Sequence, residues 1–339
     1  MANKIVVADQ IVKEFKPNLF MGEPIRIIDG VSFQLDKEES LAIIGPNGSG
    51  KTTLLKILAT IYLPDSGTAL IDGYDIIKDT KEVRDRISLV NPALDFQKKL
   101  TLKETLKFFA DIQDSKIDQA FDFLEYMGLM PMLDLRLETF SEGQKAMTRL
   151  AIGLMKKPDI LLLDEVFATI DFRRREHLVK YLEDYAKGIT LIVVDHTSEV
   201  VDRLCSKMLL MKRGGSTLKI GSVEEIFEKS PYKYDIIAVP KKYMPEDITT
   251  GFGYPYMRLG GRVRFFVKSK EEADDLIERM FEWDKFLSFE VSGLSMDDVF
   301  WLSMLESAEE EQFKKFCTVC SAFIPKDMGW CLQCGSFIE

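Results

Sequence analysis

Nine consecutive residues, Gly45-Pro46-Asn47-Gly48-Ser49-Gly50-Lys51-Thr52-Thr53, are built for holding phosphate. They follow an apolar run, LAII, and open into a helical pattern, LLKILA, which is the strand–loop–helix context of a P-loop. The glycines let successive backbone N–H groups turn toward one point, where a helix N-terminus adds partial positive charge. Lys51 is then placed to reach the β- and γ-phosphates of a nucleotide, and the Thr52 hydroxyl to ligate Mg²⁺. The competing reading, a chance Gly-rich turn, has no reason to carry these flanks. A second run, Ile160-Leu161-Leu162-Leu163-Asp164-Glu165, is a buried-strand pattern ending in two carboxylates. Beside a P-loop, Asp164 is expected to hold Mg²⁺ and Glu165 to polarise an attacking water as general base.

Phe140-Ser141-Glu142-Gly143-Gln144 precedes a helical pattern at 145–155. Taken alone it is a plain helix N-cap, Ser followed by an acidic residue. In order with the P-loop and the Asp-Glu strand, it is similar to the signature sequence of ATP-binding cassette (ABC) transporter nucleotide-binding subunits, with Glu142 where a glycine usually stands. The resemblance covers about residues 1–222. It implies a P-loop NTPase fold, a RecA-like core with a helical subdomain, in which Ser141, Gly143 and Gln144 close over ATP held by a second subunit. It further implies that Asp171 is the D-loop aspartate at that dimer interface, that His196 contacts the γ-phosphate, and that Phe15 stacks on adenine.

Two positions depart from the family's pattern. Gapless alignment puts Pro92 on the Q-loop glutamine, and proline has no side-chain oxygen, so Asn91 is taken as the Mg²⁺-facing substitute, with Gln97 further along the loop. Val166 stands where proline is usual. The segment Leu294-Ser295-Met296-Asp297-Asp298-Val299-Phe300 is similar to a short ending of drug- and polysaccharide-export cassettes, although an amphipathic helix with an acidic first turn explains it equally.

The elements that must position these residues follow from the pattern. Strands are expected at 31–33, 41–44, 88–90, 160–163 and 189–194, with a helix at 52–61, an α/β layer arrangement. An all-helical insert at about 97–157, with Leu102, Leu106, Phe109 and Ala110 on one face, is expected to offer a coupling surface over its first part, around 91–114. From 223 to 311 a small α+β domain is expected, with strands at 235–239, 262–267 and 287–291, a charged helix at 270–283 and a last helix from 295.

The tail, 312–339, holds Cys317, Cys320, Cys331 and Cys334 as two C-x-x-C knuckles. Four thiolates can close a tetrahedral Zn²⁺ site, so a structural zinc ribbon is expected, in preference to disulfides or a redox pair. Such a ribbon serves best as a docking module for a protein partner. Cys205 stands apart and reads as a buried apolar side chain.

Composition sets the outer bounds. Lys and Arg number 45 against 55 Asp and Glu, a formal charge of −10, so no direct nucleic-acid partner is expected. Apolar residues make up 46% and charged residues 29%, a globular mix. No run approaches the roughly 18 apolar residues of a bilayer span, and the first ten residues carry no secretory pattern. The expected protein is therefore an ATPase subunit on the cytoplasmic face of the cell membrane, peripherally attached, that pairs with a second ABC subunit and powers a separate membrane-spanning permease, an exporter. The alternative is a soluble ABC-type ATPase acting on a cytosolic protein or ribonucleoprotein partner.

Overall fold

The computed structural model describes residues 4–16, 23–195, 197–241, 252–259, 261–307, 313–316 and 323–325. The chain divides into two compact units, residues 1–223 and 224–339.

The first unit is organised by five parallel strands whose residues are nearly all apolar. β3 (Ser40–Ile44), β7 (Ile160–Asp164) and β8 (Thr190–Val194) are buried at every position, the signature of a sheet covered on both faces. With β6 (Ile87–Val90), β9 (Lys207–Met211) and β10 (Thr217–Ser222) they form a six-stranded sheet in the order β10-β9-β3-β8-β7-β6. β10 returns antiparallel on β9, and the other neighbours pair in parallel. The strand order reverses around β3, so the loops after β3, β6, β7 and β8 gather at one edge, where open α/β sheets bind ligands.

A second, antiparallel sheet, β2-β1-β4-β5, was not expected from the sequence except for the 31–33 stretch. It comprises β1 (Lys4–Phe15), β2 (Ile25–Asp36), β4 (Ser66–Ile71) and the short β5 (Tyr74–Asp75). Alternation along β1 is broken at Gln10, which adopts a φ of 48°, and the register against β4 shifts between Asp9 and Val12. That bulge hides the strand from a period-2 search. Ile11, Ile28, Leu35 and Ile71 of this sheet share one core with Leu54, Leu55 and Leu58 of helix α1 (Lys51–Leu58).

Helix α2 (Thr80–Arg86) leads into β6, and helices then dominate: α3 (Leu102–Gln113), α4 (Asp118–Tyr126) and α5 (Glu142–Leu154). Residues 91–101 are turns, so the helical stretch begins only at Leu102, where Thr101 and Glu104 form a capping box. Leu102, Leu106 and Ala110 are buried as the spacing required, while Phe108 and Ile112 face outward. α6 (Phe172–Tyr185) and α7 (Ser198–Leu204) complete this unit. Cys205, the residue after α7, is buried, and burial pushes its thiol pKa up.

The second unit opens with α8 (Val223–Lys229) and contains an antiparallel sheet, β12-β13-β11-β14, from β11 (Tyr234–Pro240), β12 (Tyr256–Leu259), β13 (Arg262–Val267) and β14 (Phe286–Gly293). β12 was not expected from the sequence. Helix α9 (Lys270–Glu282), capped by Ser269, packs Ala273, Leu276 and Met280 on Ile236, Ala238 and Phe265. On the opposite side of β11 and β13, Arg264 donates to Asp235 and, at 2.7 Å, to Asp298 on helix α10 (Met296–Ser307). Ser292 Oγ also donates to Asp235, and Ser295 N and Oγ to Asp298. Ser295 and Asp298 thus form a helix start locked to the sheet. Burial raises the Asp298 pKa, opposed by the Ser295 donors and Arg264. β15 (Phe313–Phe316) pairs antiparallel with β16 (Phe323–Pro325). Cys317, Cys320, Cys331 and Cys334 lie outside the described residues.

Both carboxylates are buried, and the Arg264 guanidinium is the cation that pairs with each of them. Arg264→Ala should therefore cost about 3–5 kcal/mol in this unit, the usual result of orphaning a buried charge. All three tryptophans of the chain lie at positions 283, 301 and 330, so denaturant unfolding followed by tryptophan fluorescence reads this unit selectively.

Candidate functional site: a phosphate loop facing two carboxylates

The loop after β3 turns at Gly48 and Gly50, with φ of +81° and +90°. A Cβ on Gly50 would stand 2.5 Å from the Ile27 carbonyl, so only glycine lets the loop lie this close to β2. Lys51 begins α1, and its ammonium is buried, donating to the carbonyls of Gly45 (2.7 Å) and Pro46 (3.1 Å). Desolvation lowers its pKa, while Glu165 and Asp164 pull it back up. Among the described residues Ser49 Oγ is buried without a hydrogen-bond partner, which suits a loop whose donors converge on an oxyanion. Lys51, Thr52, Thr53 and Asn47 line one cleft of about 200 Å³, with Glu165 at its edge. Ile27 of β2 lines it too, a residue not singled out in the sequence.

Asp164 ends β7 at 2% exposure. The Thr52 hydroxyl donates to its Oδ1 at 3.0 Å, and Asn91 Nδ2 donates to its Oδ2 at 3.3 Å. Burial raises the Asp164 pKa, with the Thr52 bond opposing and Glu165 reinforcing. A hydroxyl and a carboxylate side by side beneath a phosphate loop form the oxygen-donor set that Mg²⁺ takes when nucleotide phosphates supply the rest. The Asn91 oxygen does not face this point: it accepts from Ala93 N at 2.6 Å. Among the described residues no group of three or more His, Cys, Asp or Glu is arranged to hold a metal by itself.

Glu165 follows in the left-handed region, φ 51° and ψ 34°, a conformation costing a non-glycine residue about 1–2 kcal/mol. Its N–H donates to Val194 O at 2.9 Å, which ties the reversal to the end of β8. The twist carries the Glu165 side chain out of the sheet, and it is exposed toward the cleft.

The remaining candidates are placed elsewhere. Ser141 caps α5, accepting from Gln144 N at 3.3 Å while its own N–H donates to Gln144 Oε1 at 2.8 Å. Gly143 packs on the segment before Asp171, where a Cβ would sit 3.0 Å from Thr169 O. Asp171 caps α6 by accepting from Arg174 N at 3.1 Å. Neither Ser141, Gly143, Gln144 nor Asp171 lines the phosphate-loop cleft. Phe15, 37% exposed, stands edge-on to Tyr62 at 5.5 Å and is not among the lining residues either. His196 lies outside the described residues; next to it, Asp195 accepts from Thr197 N at 2.7 Å.

Comparison with known proteins gives this geometry its class. Residues 28–168 match the family model described as ABC transporter. The linearmycin resistance ATP-binding protein LnrL of Bacillus subtilis (strain 168) is 32% identical over 193 residues, 56% of this chain and 62% of that protein. The doxorubicin resistance ATP-binding protein DrrA of Mycobacterium tuberculosis (strain H37Rv) is 29% identical, over 55% of this chain and 58% of that one. The chain thus spans about three fifths of the length of these relatives. A nucleotide-free ATP-binding cassette from an ABC transporter superposes with a TM-score of 0.56 at 25% identity, covering 66% of this chain and 92% of that one. A dimeric, post-hydrolysis cassette bound to ADP and Pi gives 0.56 at 24%, covering 64% and 98%. The first unit has the fold of an ATP-binding cassette, and over residues 28–168 it is similar to ABC transporter ATP-binding proteins. No helix among the described residues is long and apolar enough to cross a membrane.

Lys51→Ala removes the buried cation that starts α1 behind the loop. Loss of one charge-assisted contact to phosphate should weaken ATP binding about 10- to 100-fold with the fold intact, as read by titration of a fluorescent ATP analogue alongside circular dichroism.

Proposed function

We propose that this chain binds and hydrolyses ATP to power a separate membrane-spanning transporter, of the export kind. The observation that carries the reading is the joint placement of Lys51, Thr52, Asp164 and Glu165 around one cleft at the sheet's ligand-binding edge. The loop N–H groups and Lys51 bind the triphosphate. Thr52 and Asp164 hold Mg²⁺, which when bound shields the β- and γ-phosphate charge. Glu165 accepts a proton from the attacking water as the γ-phosphoryl leaves for it, and His196 is assigned to the γ-phosphate from its position after β8. The export direction draws support from two relatives named for drug resistance and from the Ser295–Asp298 ending.

The capped start of α5 lies outside the phosphate-loop cleft, which supports its use by a second subunit. Ser141, Gly143 and Gln144 would meet ATP bound to Gly45–Thr53 of that partner, with Asp171 beside the seam. Closing two ATP between two such subunits does work on the permease, and hydrolysis releases them. Phe15 is proposed for the adenine, its ring being partly exposed. On this reading the subunit works at the cytoplasmic face of the membrane.

For the tail we propose structural Zn²⁺ held by Cys317, Cys320, Cys331 and Cys334. Pairing of β15 with β16 brings together the two ends of the segment that carries Cys317 and Cys320, which supports a knuckle there. Elemental analysis of the purified chain should find one zinc per chain, and Cys317→Ser with Cys331→Ser should abolish it. A zinc-free wild-type chain would remove the ribbon from this account.

Glu165→Gln should bind ATP yet lose turnover by at least about a hundredfold and accumulate as a dimer. Membranes from the native host carrying this variant, solubilised with Mg-ATP, should yield a stoichiometric partner with several apolar spans. Recovery solely with soluble or ribosomal partners would replace transport with the cytosolic alternative.

A further inference from the structure

Asn91 opens the loop after β6, one of the four that meet at the site, and both ends of its amide are engaged. Ala93 N–H needs an oxygen, so the atom 2.6 Å from it is Oδ1, and the NH₂ end must face Asp164. Asp164 is therefore gripped on both carboxylate oxygens, by Thr52 on one and Asn91 on the other. Asn91 reaches it as a donor that aims the carboxylate, in place of the metal-facing oxygen expected from the sequence.

The turn that presents Asn91 is itself held from outside. Leu94 N donates to Asn91 O at 3.2 Å, which closes the turn. Arg149, on α5, donates from Nε to Leu94 O at 2.8 Å. Its guanidinium also lies 5.3 Å over the ring of Phe96, which is buried. Between α5 and Glu165 runs a cleft of about 70 Å³ bounded by Asn91, Pro92, Glu142, Arg149 and Glu165. The helix that Ser141 caps is thus joined to the turn by a polar strut beside open space, where apolar packing alone would leave the turn loose.

The geometry points to Asn91 and Arg149 as a positioning pair for Asp164: Asn91 orients the carboxylate by donating to it, and Arg149 sets Asn91 by pinning the turn at 91–96 to α5. This rests on the reading of Asp164 as the carboxylate that holds Mg²⁺. It also gives a physical role to the departure at Pro92. A proline there stiffens the turn and supplies no donor or oxygen, and the asparagine before it, fixed by Arg149, takes over at the carboxylate. A displacement of α5 reaches Asp164 through three side-chain contacts, Arg149 to Leu94, Asn91 to Ala93 and Asn91 to Asp164.

The test uses Mn²⁺ as probe, titrated by electron paramagnetic resonance into the full-length Glu165→Gln protein saturated with ATP. Asn91→Ala and Arg149→Met in that background should each weaken Mn²⁺ binding about tenfold, the worth of one hydrogen bond to a charged group. With Glu165 restored, kcat should fall about tenfold and KM for ATP change by less than about threefold. Arg149→Lys, which keeps a donor for Leu94 O, should recover to within about threefold of the parent. The double variant should be no weaker than Asn91→Ala alone, since the arginine acts through the asparagine. Parental Mn²⁺ affinity in Asn91→Ala, or in a folded Arg149→Met, would overturn the pair, as would full additivity. If Arg149→Met fails to fold, Asn91→Ala and Arg149→Lys decide. A parent that binds no Mn²⁺ with ATP brings down the reading of Asp164 itself, a result distinct from loss of the pair alone.

Discussion

A charged group buried at the end of a central strand is expensive, and the site in the first unit is arranged around one. Asp164 lies at 2% exposure, with burial raising its pKa. It is tolerated because Thr52 from the phosphate loop and Asn91 from the β6 loop each satisfy one of its oxygens. Lys51, the buried cation nearby, is desolvated in the opposite sense and is held by two loop carbonyls. The parallel sheet is what makes this possible, since its order delivers the ends of β3, β6 and β7 to the same edge. A ligand with concentrated negative charge and a divalent cation resolves both desolvation costs at once.

Strain enters where geometry demands it. Glu165 sits in the left-handed region directly after a strand buried at every position, and its N–H is returned to β8. A relaxed continuation of β7 would send the second carboxylate back toward the sheet, on the side opposite Asp164, because strand side chains alternate. The turn lets two adjacent acids serve one cleft with different exposure, one buried and one open to solvent. The separate cap of α5 uses its donors internally in a Ser141–Gln144 box, so the helix keeps its own start stable whether or not anything faces it.

The second unit solves a similar burial problem for structure. Asp235 and Asp298 share Arg264, and the same Asp298 receives the Ser295 donors that start α10. The short ending that resembles export-type cassettes is, in this fold, a helix start bolted to a sheet. Its acidic first turn was legible in sequence, but the cation of Asp298, 34 positions away, was not.

The sequence by itself determined the phosphate loop, the Asp164-Glu165 strand end, the capped start of α5 and the strands at 41–44, 88–90 and 160–163. Each is local, because a glycine pattern, an apolar run or a Ser-x-x-Gln box states its own conformation. Tertiary structure alone decided the antiparallel sheet whose first strand is broken at Gln10 and the contacts that bind Asn91 to Asp164 and Arg149 to Leu94. These pairs lie 73 and 55 positions apart, and nothing in a side chain's type says which distant carbonyl or carboxylate will stand within hydrogen-bond reach of it. Sequence names the groups able to do the chemistry; only packing fixes which of their atoms face one another.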